Sequence, residues 1–329
     1  MIISRTPFRI SFVGGGSDLE TFYAKHTGAV LSTSIDKYMY ISSHRYFYKD
    51  QIQVKYSRTE TVKRLDDLQH PLLRETLRKA NINGGIEISS IADIPAGTGM
   101  GSSSSFTVGL LHNLYAINRK YVTHETLAKE ACEIEIDILK EPIGKQDQYA
   151  AAFGGLNIIS FHKDGSVKVE PLYVENEVYR NLQDNLVMFY AGNQRKASEI
   201  LSEQKKNASQ EEKFNTLKQM VGFVYELRDA LYAGRLNDFG HLLHENWILK
   251  QKLASKISNP EINEIYDAGL ANGAIGGKLL GAGGGGFMLF YCEKEKQERL
   301  KQALNRFETI DFRFERDGSK IIYFADEAN

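Results

Sequence analysis

The chain has 329 residues, 42% of them hydrophobic, with 41 Lys+Arg against 42 Asp+Glu and a formal net charge of -1. That length fits one large domain or two ordinary ones with a sizeable core, and the neutral balance without a long basic run excludes a nucleic-acid binder that works by neutralising phosphates. Two cysteines, Cys132 and Cys292, cannot build a disulfide framework or a four-thiolate zinc site, and no apolar stretch approaches the length that spans a bilayer. The arginines and proline of residues 1–9 interrupt any signal-peptide core, so a cytoplasmic location is expected.

In chain order, residues 9–13 and 38–42 carry the β-branched and aromatic side chains of strands. Arg9, inside the first of these, is either half of a buried ion pair or a ligand clamp. Gly14-Gly15-Gly16 follows, and then Ser17 with Glu20 three residues on, a capping-box spacing that predicts a helix over 19–26. With Ser17 as cap, Asp18 sits in the first turn with its carboxylate free for a ligand. The alternative is that Asp18 is itself the cap or complements the helix dipole.

Residues 85–91 alternate Ile86 and Ile88 with Glu87 and Ser89, a half-buried strand leading into Pro95-Ala96-Gly97-Thr98-Gly99-Met100-Gly101-Ser102-Ser103-Ser104-Ser105. Three glycines at alternate positions, then hydroxyls, then an apolar helix over 106–117 would let several N–H groups face one anion, with the helix N-terminus behind them. This reads as a polyphosphate cradle, lacking both the Gly-Lys ending of a Walker A loop and the spacing of a dinucleotide fingerprint. The plainer alternative is a tight strand-to-helix turn capped by serine.

A helix is expected over 123–140, with Leu127, Ala128, Ala131, Ile134, Ile138 and Leu139 on one face. Glu135 falls near the centre of that face, whereas Glu133 falls opposite with Lys129, Asp137 and Lys140. A carboxylate there is costly unless it is paired, hydrogen-bonded or bound to a metal. Asp147, in Gly144-Lys145-Gln146-Asp147-Gln148, reads alone as a turn residue. Beyond about residue 175 helices dominate, over 197–206, 212–233, 236–253 and 260–272. A strand at 287–291, a helix over 293–307 and strands at 312–314 and 321–324 complete an α+β plan, with a boundary in the polar stretch 171–184. Arg195, between the strand at 186–190 and a helix start, could bind a dianion with the backbone N–H groups there; the plainer alternative is that Arg195 and Lys196 are simply solvated between elements.

These sets in this order resemble the GHMP kinases. The middle loop matches that family's Pro-x-x-x-Gly-Leu-Gly-Ser-Ser pattern with Met100 for leucine, and residues 281–286 with the strand after them resemble its C-terminal glycine motif. The resemblance implies an N-terminal domain like ribosomal protein S5 domain 2 over 1–175 and a ferredoxin-like C-terminal domain over 176–329. It implies ATP bound by Pro95, Gly97, Thr98, Gly99, Met100, Gly101, Ser102, Ser103 and Ser104, and Mg2+ held by Ser103 and Glu135. Asp147 and Arg9 become the catalytic pair, and Arg9, Asp18, Asp147 and Arg195 the substrate-binding set.

Within the family, residues 5–9, 32–38 and 144–148 are most similar to the D-glycero-D-manno-heptose 7-phosphate kinases, and fucokinase domains share much of the pattern. The implied reaction is phosphorylation of the anomeric hydroxyl of that heptose 7-phosphate to the 1,7-bisphosphate, for nucleotide-activated heptose. The alternatives are an L-fucokinase-like or other sugar 1-kinase, and a non-catalytic ligand-sensing regulator of the same fold. Gly15 and Gly16 stand where galactokinases have a Glu and a His on the sugar, which implies more room there. The partners implied are a phosphorylated sugar and ATP, with neither nucleic acid nor membrane, and a homodimer is compatible with this.

Overall fold

The computed structural model describes residues 1–192 and 197–325. Strand β1 (Ile2–Val13) is longer than the expected 9–13 and is buried from Thr6 onward. Along nearly its whole length it pairs antiparallel with β2 (Gly28–Arg45). Between them lies only a single helical turn, α1 (Glu20–Tyr23), so the helix expected over 19–26 is corrected, and so is its cap. Leu19 holds the N-cap position without a side-chain bond. Ser17 is buried, its Oγ–H shared between the carbonyls of Gly14 and Ala29 (2.8 and 3.0 Å) while it accepts from Ala29 N at 3.1 Å. Closing the β1–β2 turn satisfies three backbone groups inside the core, where leaving them unpaired is costly; a helix cap satisfies groups that water could reach.

β2 is long enough to serve more than one neighbour on the edge away from β1. Residues 39–45 pair with β5 (Ile86–Ala92), the strand expected at 85–91, and residues 28–33 pair with β6 (Leu156–Phe161). β3 (Ile52–Lys55) adds parallel to β5, β4 (Thr59–Val62) pairs with β3, and β7 (Val167–Pro171) pairs with β6. Helices α2 (Pro71–Lys79), α3 (Ser102–Ile117), α4 (His124–Cys132) and α5 (Gln146–Phe153) form the layer next to this sheet, α3 and α5 packing directly on β1 and β2. α3 is buried on all sides from Ser104 to Leu111, as its apolar composition requires, and it begins four residues before the expected start.

The weakly patterned stretch before residue 185 holds α6 (Asn176–Asp184), a helix with only Leu182 buried. A second sheet follows, in the order β8 (Leu186–Tyr190), β10 (Phe287–Cys292), β9 (Ala274–Leu279), all antiparallel. Its helices are α7 (Ala197–Asn207), α8 (Glu211–Tyr232), α9 (Leu236–Gln251), α10 (Pro260–Ala271) and α11 (Gln297–Ala303). α11 is shorter than the expected 293–307. The chain then returns to the first sheet, where β11 (Phe314–Glu315) pairs with β2 and β12 (Lys320–Phe324) takes the outer edge of β1.

The architecture is α+β. Phe12 of β1 packs edge-on against Phe239 of α9 at 5.1 Å and against Phe314 of β11 at 6.3 Å, so one apolar core runs through both sheets. We keep a division at 175/176 as a proposal, one that the returning strands cross. Among the described residues no helix is long and apolar enough to cross a membrane.

Candidate active site

Gly97, Gly99 and Gly101 all have left-handed backbone conformations (φ 80°, 84° and 76°), which side chains other than glycine adopt at a cost. Gly101 is the N-cap residue of α3, and no side chain caps that helix. The first-turn N–H groups of Ser102, Ser103 and Ser104 therefore stand at the positive end of a 16-residue helix, where an anion is favoured. The loop is braced from the second sheet: a Cβ on Gly281 would overlap Gly99 Cα, and one on Gly286 would overlap the Thr98 carbonyl. The C-terminal glycine run is thus needed for close backbone approach to the phosphate loop.

Each residue from Gly144 to Gln148 meets a group from elsewhere in the chain. A Cβ on Gly144 would overlap Asp18 Oδ2, so only glycine lets that carboxylate sit where it does. Lys145 Nζ donates to the Gly165 carbonyl at 2.7 Å, and Gln146 N donates to Asp18 Oδ2 at 3.3 Å. Asp147 accepts from Arg9 Nε and Nη2, both at 2.8 Å, a bidentate fork. The remaining Arg9 nitrogen, Nη1, donates to the Gly99 carbonyl at 2.6 Å and so ties the pair to the phosphate loop. A Cβ on Gly101 would lie 3.3 Å from the Asp147 carboxylate, which places that carboxylate directly beside the α3 N-terminus. Asp18 also accepts from Gly16 N at 3.0 Å; burial, and then the nearby Asp147 charge, push its carboxyl above the usual range.

Gln148 Nε2 reaches Glu135 Oε2 at 2.5 Å. Glu135 is fully buried and also accepts from Ser103 Oγ (3.0 Å), Ser104 Oγ (2.8 Å) and Thr107 Oγ1 (3.0 Å). Its burial raises the carboxyl pKa, and the four hydrogen bonds oppose that shift. Glu133 is on the other side, paired with Lys79. The helix expected over 123–140 is corrected in one respect: α4 ends at Cys132, and a π-turn runs from Glu133 to Ile138, with Leu139 N donating to Ile134 O. The wider turn keeps Glu135 inward but rotates Ile138 outward, to 45% exposure. All the oxygens around Glu135 are hard donors suited to magnesium, and Ser103 lines the open cleft.

That cleft, of about 260 Å³, is bounded by the phosphate loop, Asp18, Asp147 and three elements of the second half. Its lining includes two buried lysines that the sequence-based set lacks, Lys250 of α9, 5% exposed, and Lys278 of β9, 2% exposed. Lys250 Nζ donates to the Gly281 carbonyl, and Lys278 Nζ to the Ser11 carbonyl at 2.5 Å. The wheel that singles out Glu135 also singles out Lys250, which continues the stripe Phe239, Leu243, Trp247. Ser11 Oγ is buried on the cleft wall without a partner, and beside it Gly15 leaves a notch whose nearest flanking atoms are Gln146 Nε2 and Ser11 Oγ, at 3.9 and 4.0 Å from a would-be Cβ. Arg195 lies outside the described residues.

The family description "GHMP kinases N terminal domain" matches residues 67–155 and "GHMP kinases C terminal" matches 227–309, together just over half of the chain. The chain belongs to the GHMP kinases and is an ATP-dependent sugar kinase. It is 27% identical over 335 residues, 97% of this chain and 98% of the relative, to the D-glycero-alpha-D-manno-heptose 7-phosphate kinase of Campylobacter jejuni. It is 24% identical to the bifunctional fucokinase/GDP-fucose pyrophosphorylase of Arabidopsis thaliana over 93% of this chain, but this spans only 31% of that protein. The crystal structure of a D-glycero-D-manno-heptose 1-phosphate kinase from Bacteroides thetaiotaomicron has the same fold, with a TM-score of 0.82 at 24% identity over 99% of this chain and 100% of that one.

Proposed function

We propose that the protein transfers the γ-phosphoryl group of ATP to the anomeric hydroxyl of D-glycero-D-manno-heptose 7-phosphate, giving the 1,7-bisphosphate for nucleotide-activated heptose. The observation that carries this reading is the Arg9–Asp147 fork held against the N-terminus of α3, which sets a fixed carboxylate beside an anion site. In this reading the loop from Pro95 to Ser104 holds the nucleotide phosphates through backbone N–H groups, and the acceptor oxygen is aligned with the γ-phosphorus between loop and carboxylate. Asp147 accepts or orients the hydroxyl proton through lone pairs that Arg9 does not use. Asp18, already bonded by two backbone N–H groups, accepts from a sugar hydroxyl.

Magnesium fits the oxygen set, with Ser103 and Glu135 as its protein ligands; when bound it offsets charge on the phosphates. The heptose itself is favoured by the relative in Campylobacter jejuni and by the Gly15 notch, which leaves room that a smaller sugar does not need. On sequence alone we add Arg195 as a clamp on the substrate's phosphate, so Arg195→Ala should cost about 1.5–3 kcal/mol in kcat/KM, one charged hydrogen bond. Both cysteines are free thiols, which suits a cytoplasmic enzyme.

The experiment is a panel of free and phosphorylated hexoses and heptoses, read by ADP release, with phosphorus NMR to locate the new ester. The heptose 7-phosphate should have the highest kcat/KM and give an anomeric phosphate. A higher kcat/KM for L-fucose would move the reading to a fucokinase, and no turnover with any sugar would move it to a ligand-sensing regulator.

A further inference from the structure

Lys250 and Lys278 are the groups that the proposed chemistry leaves without a task. Each ammonium is almost wholly removed from water, each lines the cleft, and each has a backbone carbonyl as its hydrogen-bond partner. Among the described residues no carboxylate lies within ion-pair distance of either. A buried cation held by neutral carbonyls is expensive, and an ammonium has three N–H donors. Such a placement makes sense where an anion occupies the cleft during the working cycle.

The position of Lys250 says which anion. Its partner, the Gly281 carbonyl, belongs to the backbone packed on Gly99, and the Gly99 carbonyl in turn accepts from Arg9. Lys250 therefore faces the phosphate loop and the Arg9–Asp147 pair, the end of the cleft where phosphoryl transfer takes place. Lys278 stands behind it on β9 and anchors β1 through Ser11. We propose that Lys250 is a further catalytic residue, donating to a γ-phosphoryl oxygen of the nucleotide from the side opposite the α3 N-terminus, with Lys278 adding to the field and holding β1 in place. This rests on the kinase reading of the cleft but not on the identity of the sugar.

The test needs no acceptor. Full-length protein is titrated calorimetrically, with magnesium present, against ADP and against the non-transferable ATP analogue AMPPNP. The wild type should prefer AMPPNP, and Lys250→Met should reduce that preference at least tenfold while ADP affinity stays within threefold. Lys250→Arg, which keeps the charge, should retain more of the preference. The unliganded methionine variant should melt no lower than the wild type. A preference unchanged in Lys250→Met, or a parallel loss of both nucleotides, would overturn the proposal; the second result would mean that Lys250 only braces the glycine loop. Wild-type protein inactive on heptose 7-phosphate would overturn the substrate reading and leave these results standing.

Discussion

Asp147 is held by two donors of one guanidinium, so its direction is set before any substrate arrives. Asp147→Asn keeps the size of the side chain but removes the charge and the capacity to take a proton. Its kcat should fall by about 100-fold or more with nucleotide affinity nearly unchanged, checked by steady-state kinetics beside analogue binding. Lys250 yields a prediction of opposite sign for stability. Burial, and then Arg9, push its ammonium from 10.5 down to about 8. The folded protein thus holds that proton less tightly than the unfolded chain does. The resulting penalty is fully present below pH 8 and is relieved as the pH rises from about 8 to 10.5. Lys250→Met should therefore stabilise the ligand-free protein by about 1–3 kcal/mol at pH 7, with the difference closing in the alkaline range. Denaturant titrations at the two pH values check this, and a gain in stability joined to a loss of function is the signature of a functional charge.

The π-turn after α4 sets Glu135 and Glu133 on different sides of one short element. Glu135→Gln should weaken the apparent Mg2+ dependence and lower kcat strongly, because it removes the buried charge on which four donors converge. Glu133→Gln loses a half-exposed ion pair with Lys79, worth about 0–1 kcal/mol, and should leave activity near wild type. Titrating Mg2+ against rate for both variants decides between them. The glycine run from 281 is equally specific: Gly281→Ala adds a Cβ that meets Gly99 at a left-handed φ of 76°. It should displace the phosphate loop and raise the KM for ATP by roughly tenfold or more, since strain and overpacking at such a site cost about 1–3 kcal/mol.

Across the whole molecule, the cleft depends on contacts between parts of the chain that lie far apart in sequence. β11 and β12 close the first sheet after the second has been built, and Phe12, Phe239 and Phe314 join the cores. The two halves should consequently unfold together. Trp247, the single tryptophan, is fully buried in α9 and reports on the second half, whereas far-UV circular dichroism reports on all helices and sheets. In urea the two signals should give coincident midpoints. A tryptophan transition displaced from the circular dichroism transition would show that the halves unfold separately.

The sequence by itself determined the features written in local pattern. The alternate glycines before an apolar helix, the inward place of Glu135 and the α+β order of elements are all properties of spacing, and spacing survives folding. It left Ser17 in the wrong place, because a capping box and a serine that closes a strand turn share the same letters; only the pairing of β1 with β2 decides which carbonyls Ser17 meets. It placed Ile138 inside, because a π-turn has no signature in the apolar pattern and is seen only in the folded backbone, where Leu139 N bonds Ile134 O. Asp147 reads as a solvated turn until Arg9, 138 residues earlier, is brought beside it. Lys250 and Lys278 become members of the cleft only when α9 and β9 pack against β1 and the phosphate loop. The helical wheel can mark Lys250 as inward, but a charge buried by remote packing carries no local mark of its partners, and for that physical reason the place of these two lysines in the cleft is decided by the tertiary structure.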